Sequence, residues 1–246
     1  MGVPAVFFPL GGHAYHVRED TVIGNLSGLN SMTNHQTDKF IPALGNDLLT
    51  PLYDPLLWLM RETKFKSYLV EQAQISNGSR VLDLGCGTGT LAIMTKRVHP
   101  EAEVVGIDAD SKILGLARVK AAKADVALML DQGMADQLPY SDSSFDRVLS
   151  SLVLHHLSTE NKRRTLREVF RVLRSDGRLH VVDFGPPRTF YSRLVVRLTA
   201  RSEEVAVNVQ GLLPEMFREV GFENVAETKQ FMTVAGALSF YRGQKP

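Results

Sequence analysis

The sequence predicts an α/β fold: a Rossmann-like, doubly wound, mostly parallel seven-stranded sheet with an antiparallel C-terminal edge pair and helices on both faces. Three observations predict it. Strand-forming and helix-forming segments alternate from Arg80 to Phe184, the pattern of successive βαβ units. A glycine-rich turn, "GCGTG", joins the first of these strands to its helix. Beyond Phe184 the alternation stops, and the chain closes on two strand-like runs joined by a turn.

Each element has its own signal. Residues 1–50 are rich in Gly, Asn, His, Ser and Pro with little periodicity; they read as an N-terminal arm, either a lid folding over a site or a disordered leader. Residues 51–246 form the main domain. "PLLWLMRETKFKSYLVEQAQ", from Pro55 to Gln74, spaces its apolar residues as an amphipathic helix, and Asn77-Gly78 breaks it. Strands are expected at "RVLDL", "EVVGID", "VALML", "FDRVLSS" and "GRLHVVDF". Helices are expected between them at "TLAIMTKRV", "SKILGLARVKAAKA" and "ENKRRTLREVFRVL", the last a basic outer face. Pro186-Pro187 opens an excursion to about residue 213, "LPEMFREVG" is a further helix, and "FENVAETKQFMTVAGALSFYRGQ" supplies the closing strand pair.

Composition narrows the function. With 246 residues, 44% of them hydrophobic and 22% charged, the chain can bury one sizeable core. A net charge of +1 provides no global field for nucleic acid. The single cysteine, Cys86, excludes an intramolecular disulfide and favours a reducing compartment. No apolar run is long enough to span a bilayer, and "MGVPAVFFPLGG" lacks the positive start of a secretory signal. Val6 stands where myristoylation needs Ser or Thr. A cytoplasmic protein is expected. The histidines are scattered without partners at ligand spacing, so no metal is expected.

In a doubly wound sheet the ligand lies beyond the carboxyl ends of the strands, which makes the first βα turn the place to look. Gly85, Gly87 and Gly89 permit close approach of a ligand to the main chain. Thr90 stands where a dinucleotide fingerprint needs its third small residue. Asp83, at the end of the strand, suits an ammonium group better than phosphates. Asp108 ends the second strand, where a carboxylate can accept bonds from both ribose hydroxyls. Ribose without diphosphate, with an amino-acid tail, describes S-adenosylmethionine. The competing reading is a structural turn, with Asp108 capping the helix that follows.

"VLDLGCGTGTLA", "VVGIDAD", "QLPYSDSSFDRVLSSLVLHHL" and "EVFRVLRSDGRLHVVDFG" together resemble the class I S-adenosylmethionine-dependent methyltransferases, in particular the branch that includes ubiquinone and menaquinone biosynthesis methyltransferases. The resemblance covers about residues 79–185. It implies S-adenosyl-L-methionine as cofactor and S-adenosyl-L-homocysteine as product. It also places Asp83, Gly85, Cys86 and Gly87 around the methionine part, with Cys86 as small packing rather than a nucleophile. Asp108 would hold the ribose and Ala109 pack on the adenine. In "GMADQLPY" the family carries an Asp where this chain has Met134, so the backbone of Met134 and Ala135 reads the adenine edge or Asp136 substitutes. Ser150 to Leu154 would pass beside the methionine tail. Tyr53-Asp54 resembles the family's tyrosine-bearing entry segment.

Methyl transfer from a sulfonium needs alignment, exclusion of water and, for some acceptors, removal of a proton. His155 or His156 is a candidate base, because imidazole titrates near neutrality; orientation of a loop is the alternative role. The catalytic candidates are therefore His155 and Tyr53. Acceptor specificity is expected in the arm and in the excursion. There Arg193, Arg197 and Arg201 follow one another at four-residue steps, beside a stripe of Phe190, Leu194 and Leu198. That face is either solvated or a peripheral membrane contact. The expected function is methyl transfer to a small, largely apolar or aromatic acceptor, by O- or C-methylation. The alternatives are a phospholipid or amine N-methyltransferase, and a cofactor-retaining binding protein or non-methylating cyclase on the same fold.

Overall fold

The computed structural model describes residues 62–199, 203–233 and 236–246. Its strands are β1 (Arg80–Leu84), β2 (Glu103–Asp108), β3 (Met129–Gln132), β4 (Phe145–Ser151), β5 (Leu173–Phe184), β6 (Glu223–Thr233) and β7 (Gly236–Gln244). The helices are α1 (Glu62–Ala73), α2 (Thr90–Val98), α3 (Ser111–Lys123), α4 (Thr159–Val172), α5 (Phe190–Thr199), α6 (Glu203–Val209) and α7 (Leu213–Val220). A single turn of 3-10 helix, Leu154–His156, follows β4.

The sheet runs β3-β2-β1-β4-β5-β7-β6. The first five strands are parallel; β7 is antiparallel to both β5 and β6. Strand order reverses at β1, which has β2 on one side and β4 on the other, so a crevice opens beyond the carboxyl ends of these strands. This is the doubly wound, mostly parallel sheet with an antiparallel edge pair that the alternation predicted. No described helix is long and apolar enough to cross a membrane.

Alternate residues of the central strands feed two cores, one on each face, as continuous apolar strands covered by helices on both sides must. Leu82, Val105, Val148 and Val181 face the core closed by Leu166 and Val169 of α4 and by Met216 and Phe217 of α7. Val81, Val104, Leu149 and Val182 face the opposite core, with Phe65 and Leu69 of α1 and Leu91 of α2. On β7, Tyr241 joins the first core and Phe240 the second. Each such fully buried side chain contributes roughly 1.5–3 kcal/mol.

Two boundaries and one surface assignment differ from the expectation. "VALML" overlaps the third strand only at its end, because Asp125 (φ 54°) and Val126, whose N–H donates to the Ala121 carbonyl, are used to close α3. The fifth strand starts at Leu173 rather than Gly177; it pairs first with Phe145, then passes an irregularity at Asp176 (φ 61°) before running in register. The basic helix α4 is not wholly an outer face: Arg164 is exposed, but Lys162 is fully buried with its ammonium on the Leu157 carbonyl.

Candidate functional site

The turn after β1 is built from main chain. Gly85 has φ 67°, and a Cβ there would lie 2.5 Å from the Val153 side chain, so the glycine brings the segment after β4 directly against the turn. Gly87 has φ 53° and nothing within 4 Å of where its Cβ would stand, an open cradle bounded by backbone. Cys86 points the other way. Its thiol is what a Cβ on Gly106 would strike at 3.0 Å, and its N–H donates to the Ile107 carbonyl at 2.9 Å. Burial, then the carboxylates of Asp83 and Asp108, push the Cys86 thiol pKa up, which removes it as a nucleophile.

Asp83 lies at the floor of this turn, only 2% exposed, and its Oδ2 has no partner among the described residues. Burial raises its pKa from the ordinary 3.8 to about 7, partly opposed by the Lys66 charge and by a bond from the Ala92 N–H. Lys66 is itself half of a buried pair with Glu62 on α1. Ser150 stands opposite Leu84 in the pairing of β4 with β1, buried, and its hydroxyl has no partner among the described residues. An orphaned carboxylate oxygen and an orphaned hydroxyl at a main-chain cradle suit an ammonium-bearing amino-acid tail.

Asp108 closes the other wall. Its Oδ2 accepts the Gly87 N–H at 2.9 Å and its Oδ1 accepts the Asp110 N–H at 3.0 Å. Burial raises its pKa, opposed by these two N–H groups. The capping role belongs to Asp110, whose side chain accepts from the N–H groups of Lys112 and Ile113 at the start of α3. Asp108 therefore ties the glycine turn to the end of β2 and keeps lone pairs for a ligand's hydroxyls. Ala109 follows it, its carbonyl held by the Gln132 side chain at 3.2 Å.

The segment after β3 joins from the side, where the Gly133 N–H donates to the Asp108 carbonyl at 3.0 Å. Met134 and Ala135 begin a tight turn closed by the Gln137 N–H on the Met134 carbonyl. Met134 is exposed, and Asp136 is half-buried. The loop beyond is clamped from α4: Glu168 accepts the Leu138 N–H at 2.8 Å, and Arg171 donates to the Leu138 and Tyr140 carbonyls at 3.1 and 2.7 Å.

Beyond β4, Leu152 adopts φ 60°, a conformation uncommon for a branched side chain, and the chain turns into Leu154–His156. His155 Nδ1 lies 2.9 Å from Asp183 Oδ1. Asp183, fully buried at the end of β5, also accepts the N–H groups of Leu154 and His155 on Oδ2 and that of Phe184 on Oδ1. Burial would raise the Asp183 pKa, but the His155 charge and these bonds outweigh it and hold the carboxyl below its ordinary range. The ring of His155 lies against that of His156, centroids 3.9 Å apart and planes tilted by 40°, and meets the edge of Phe184 at 4.8 Å. Burial, then the neighbouring His155, depress the His156 pKa to about 4, so His156 stays neutral near neutrality.

The structure thus gathers Asp83, Gly85, Cys86, Gly87, Asp108, Ala109, Met134, Ala135, Ser150 and His155 at one end of the sheet. Tyr53 and Asp54, and the side chains of Arg197, Leu198 and Arg201, lie outside the described residues. Asp183 escaped the sequence reading. Its signal was an acid closing the fifth strand in "VVDFG", in the position that Asp83 and Asp108 hold in theirs. Among the described residues no group of three or more His, Cys, Asp and Glu side chains could hold a metal ion.

Residues 81–177 match the family model described as "Methyltransferase domain". A demethylmenaquinone methyltransferase of Thermus thermophilus is 35% identical over 153 residues, 61% of this chain and 69% of that protein. A ubiquinone/menaquinone biosynthesis C-methyltransferase of Xylella fastidiosa is 37% identical over 137 residues, 54% of this chain and 53% of that protein. The chain spans 53–66% of the length of several such curated relatives. Among solved structures, a phosphoethanolamine N-methyltransferase of Haemonchus contortus, crystallised with phosphomonomethylethanolamine and S-adenosylhomocysteine, superposes with a TM-score of 0.60. At 15% identity, over 74% of this chain and 52% of that one, it shares the fold.

Proposed function

Because the chain belongs to the class I S-adenosylmethionine-dependent methyltransferases and resembles their ubiquinone and menaquinone branch, we propose that it methylates a small hydroxylated aromatic acceptor, at ring carbon, with His155 as general base. The observation that carries this reading is the His155–Asp183 pair, set two residues beyond the Val153 that packs on Gly85. The carbon preference draws on the relatives, whose names describe methylation in quinone biosynthesis, one of them at carbon.

Asp83 would meet the donor's ammonium group through its unpartnered Oδ2, with the main chain at Gly85 and Gly87 admitting the tail and Ser150 offering its hydroxyl. Asp108 would receive the ribose hydroxyls, Ala109 would pack on the adenine, and the turn at Met134 and Ala135 would meet its edge. When bound, the sulfonium supplies an electrophilic methyl group. Asp183 accepts the Nδ1 proton of His155, which leaves Nε2 with its lone pair to take the acceptor's hydroxyl proton. The electron density released into the ring would make the adjacent carbon the nucleophile toward that methyl group, displacing the sulfur as a thioether that keeps the S–CH3 bonding pair. The methylated carbon would then lose its own proton to restore the aromatic ring. Phe190, Tyr191 and Leu194, exposed on α5, give a lipophilic acceptor an apolar approach; co-sedimentation with vesicles before and after F190S tests that route.

Incubation with methyl-labelled donor and a panel of reduced naphthoquinones and benzoquinones tests the reading. Turnover is expected, with product methylated at carbon. H155A is expected to lower kcat by about 10²-fold or more while donor affinity by calorimetry stays within about twofold, the size expected of a lost general base. D108A is expected to cost donor affinity about tenfold or more. Full turnover in H155A, or unchanged donor affinity in D108A, overturns the respective role.

A further inference from the structure

Asn208, on α6, is fully buried, and neither its Nδ2 nor its Oδ1 has a hydrogen-bond partner among the described residues. A carboxamide left bare at both ends is costly, because water's hydrogen bonds are given up and nothing replaces them. Its main chain does not require it: the Asn208 carbonyl already closes the turn by accepting the Gly211 N–H at 3.0 Å. The side chain is not capping or stapling the helix.

Its place in the fold gives it a use. Helix α6 packs against the Leu154–His156 turn that carries His155 and against β5, the strand that ends in Asp183. Val207, the preceding residue, packs on the core cluster that contains Leu154. Asn208 therefore presents an unspent donor and an unspent acceptor on the helix that backs the candidate base, within the excursion where acceptor specificity is expected.

We infer that Asn208 is a substrate-binding residue that recognises a hydroxyl group of the methyl acceptor. The chemistry selects a hydroxyl. A carbonyl oxygen can accept from Nδ2 but offers nothing to Oδ1, whereas a phenol or enol O–H donates to Oδ1 and accepts from Nδ2 at once. The carboxamide thus prefers the reduced, hydroxylated form of an aromatic acceptor over its oxidised, carbonyl form. The inference rests on the reading above for the nature of the acceptor. It adds a group that holds the acceptor in place beside His155, which acts on its proton.

The test avoids turnover. Wild-type protein loaded with S-adenosylhomocysteine is titrated with 1-naphthol and with naphthalene, which differ only in the hydroxyl. The wild type is expected to bind 1-naphthol at least tenfold more tightly. N208L, of nearly the same shape without polar atoms, is expected to lose most of that preference while its affinity for S-adenosylhomocysteine is unchanged. Its melting temperature should be equal or higher, because a buried unsatisfied amide is gone. No preference in the wild type, a preference retained in N208L, or loss of S-adenosylhomocysteine binding in N208L overturns the assignment. If the preference behaves as expected but no hydroxyaromatic is methylated, the reaction reading falls and the hydroxyl site stands.

Discussion

Asp83 is held in a state that suits a ligand better than it suits the fold. Its pKa in the folded chain, about 7, lies above the ordinary 3.8. Its contribution to stability is therefore fully present below about pH 4 and is lost as pH rises through about 7; the whole window is worth roughly 4 kcal/mol at most. D83N is expected to raise the melting temperature of the free protein at pH 8 by several degrees, with the gain shrinking toward zero near pH 4. The same substitution should weaken donor binding tenfold or more. In the wild type, donor affinity should fall with pH below about 7, since an ammonium group is met by the ionised carboxylate. Thermal melts and calorimetry across pH 5–8 check both; a pH-independent effect of D83N would show that burial does not control this group. The imidazole of His156 behaves differently. His156, its pKa depressed by burial and by the neighbouring His155 ring, stays neutral above about pH 4.

At the scale of elements, the site depends on how closely two turns approach. G85A places a methyl 2.5 Å from a Val153 methyl and forces an L side chain to φ 67°. A loss of about 3 kcal/mol is expected in urea denaturation, combining left-handed strain with overpacking. V153A on that background should return about 1–2 kcal/mol, the packing part alone. A loss that V153A does not ease would place all of the strain in the backbone. These relations also show which parts of the site were legible. Asp83, the glycines and Asp108 lie in one continuous βα unit and its successor, so spacing along the chain reveals them. The Asp183–His155 contact joins residues 28 apart, because β4 and β5 are neighbours with Ser151 opposite Val182. No local pattern encodes that adjacency. Asn208 was hidden for another reason: an Asn in a short helix reads as solvated until the packing shows it buried. The third strand was misplaced because Val126 and Leu128 look strand-forming whether they pair or close a helix, and only the hydrogen bond to Ala121 decides.

For the molecule as a whole, the two cores share one sheet, and its middle is the most protected part. Amide exchange is expected to be slowest in β1 and β4, whose residues are largely buried between helices, and fastest in β3, a four-residue edge strand with Met129 exposed. Faster exchange in β1 than in β3 would contradict the two-core arrangement. The alternation that announced this architecture survives at full scale because strands buried on both faces are apolar along their whole length, whereas the edge strands are not. The position of β7 has a further result. Of the seven strands of this sheet, the one synthesised last lies inside it, between β5 and β6, with Phe240 and Tyr241 plugging opposite faces. Until the ribosome has delivered residues 236–244, β5 has a bare flank and β6 has no place to dock. The fold of the nascent chain waits for β7, and Asp183 with it, because the strand that carries Asp183 has β4 on one side and gains its second neighbour only with this late arrival.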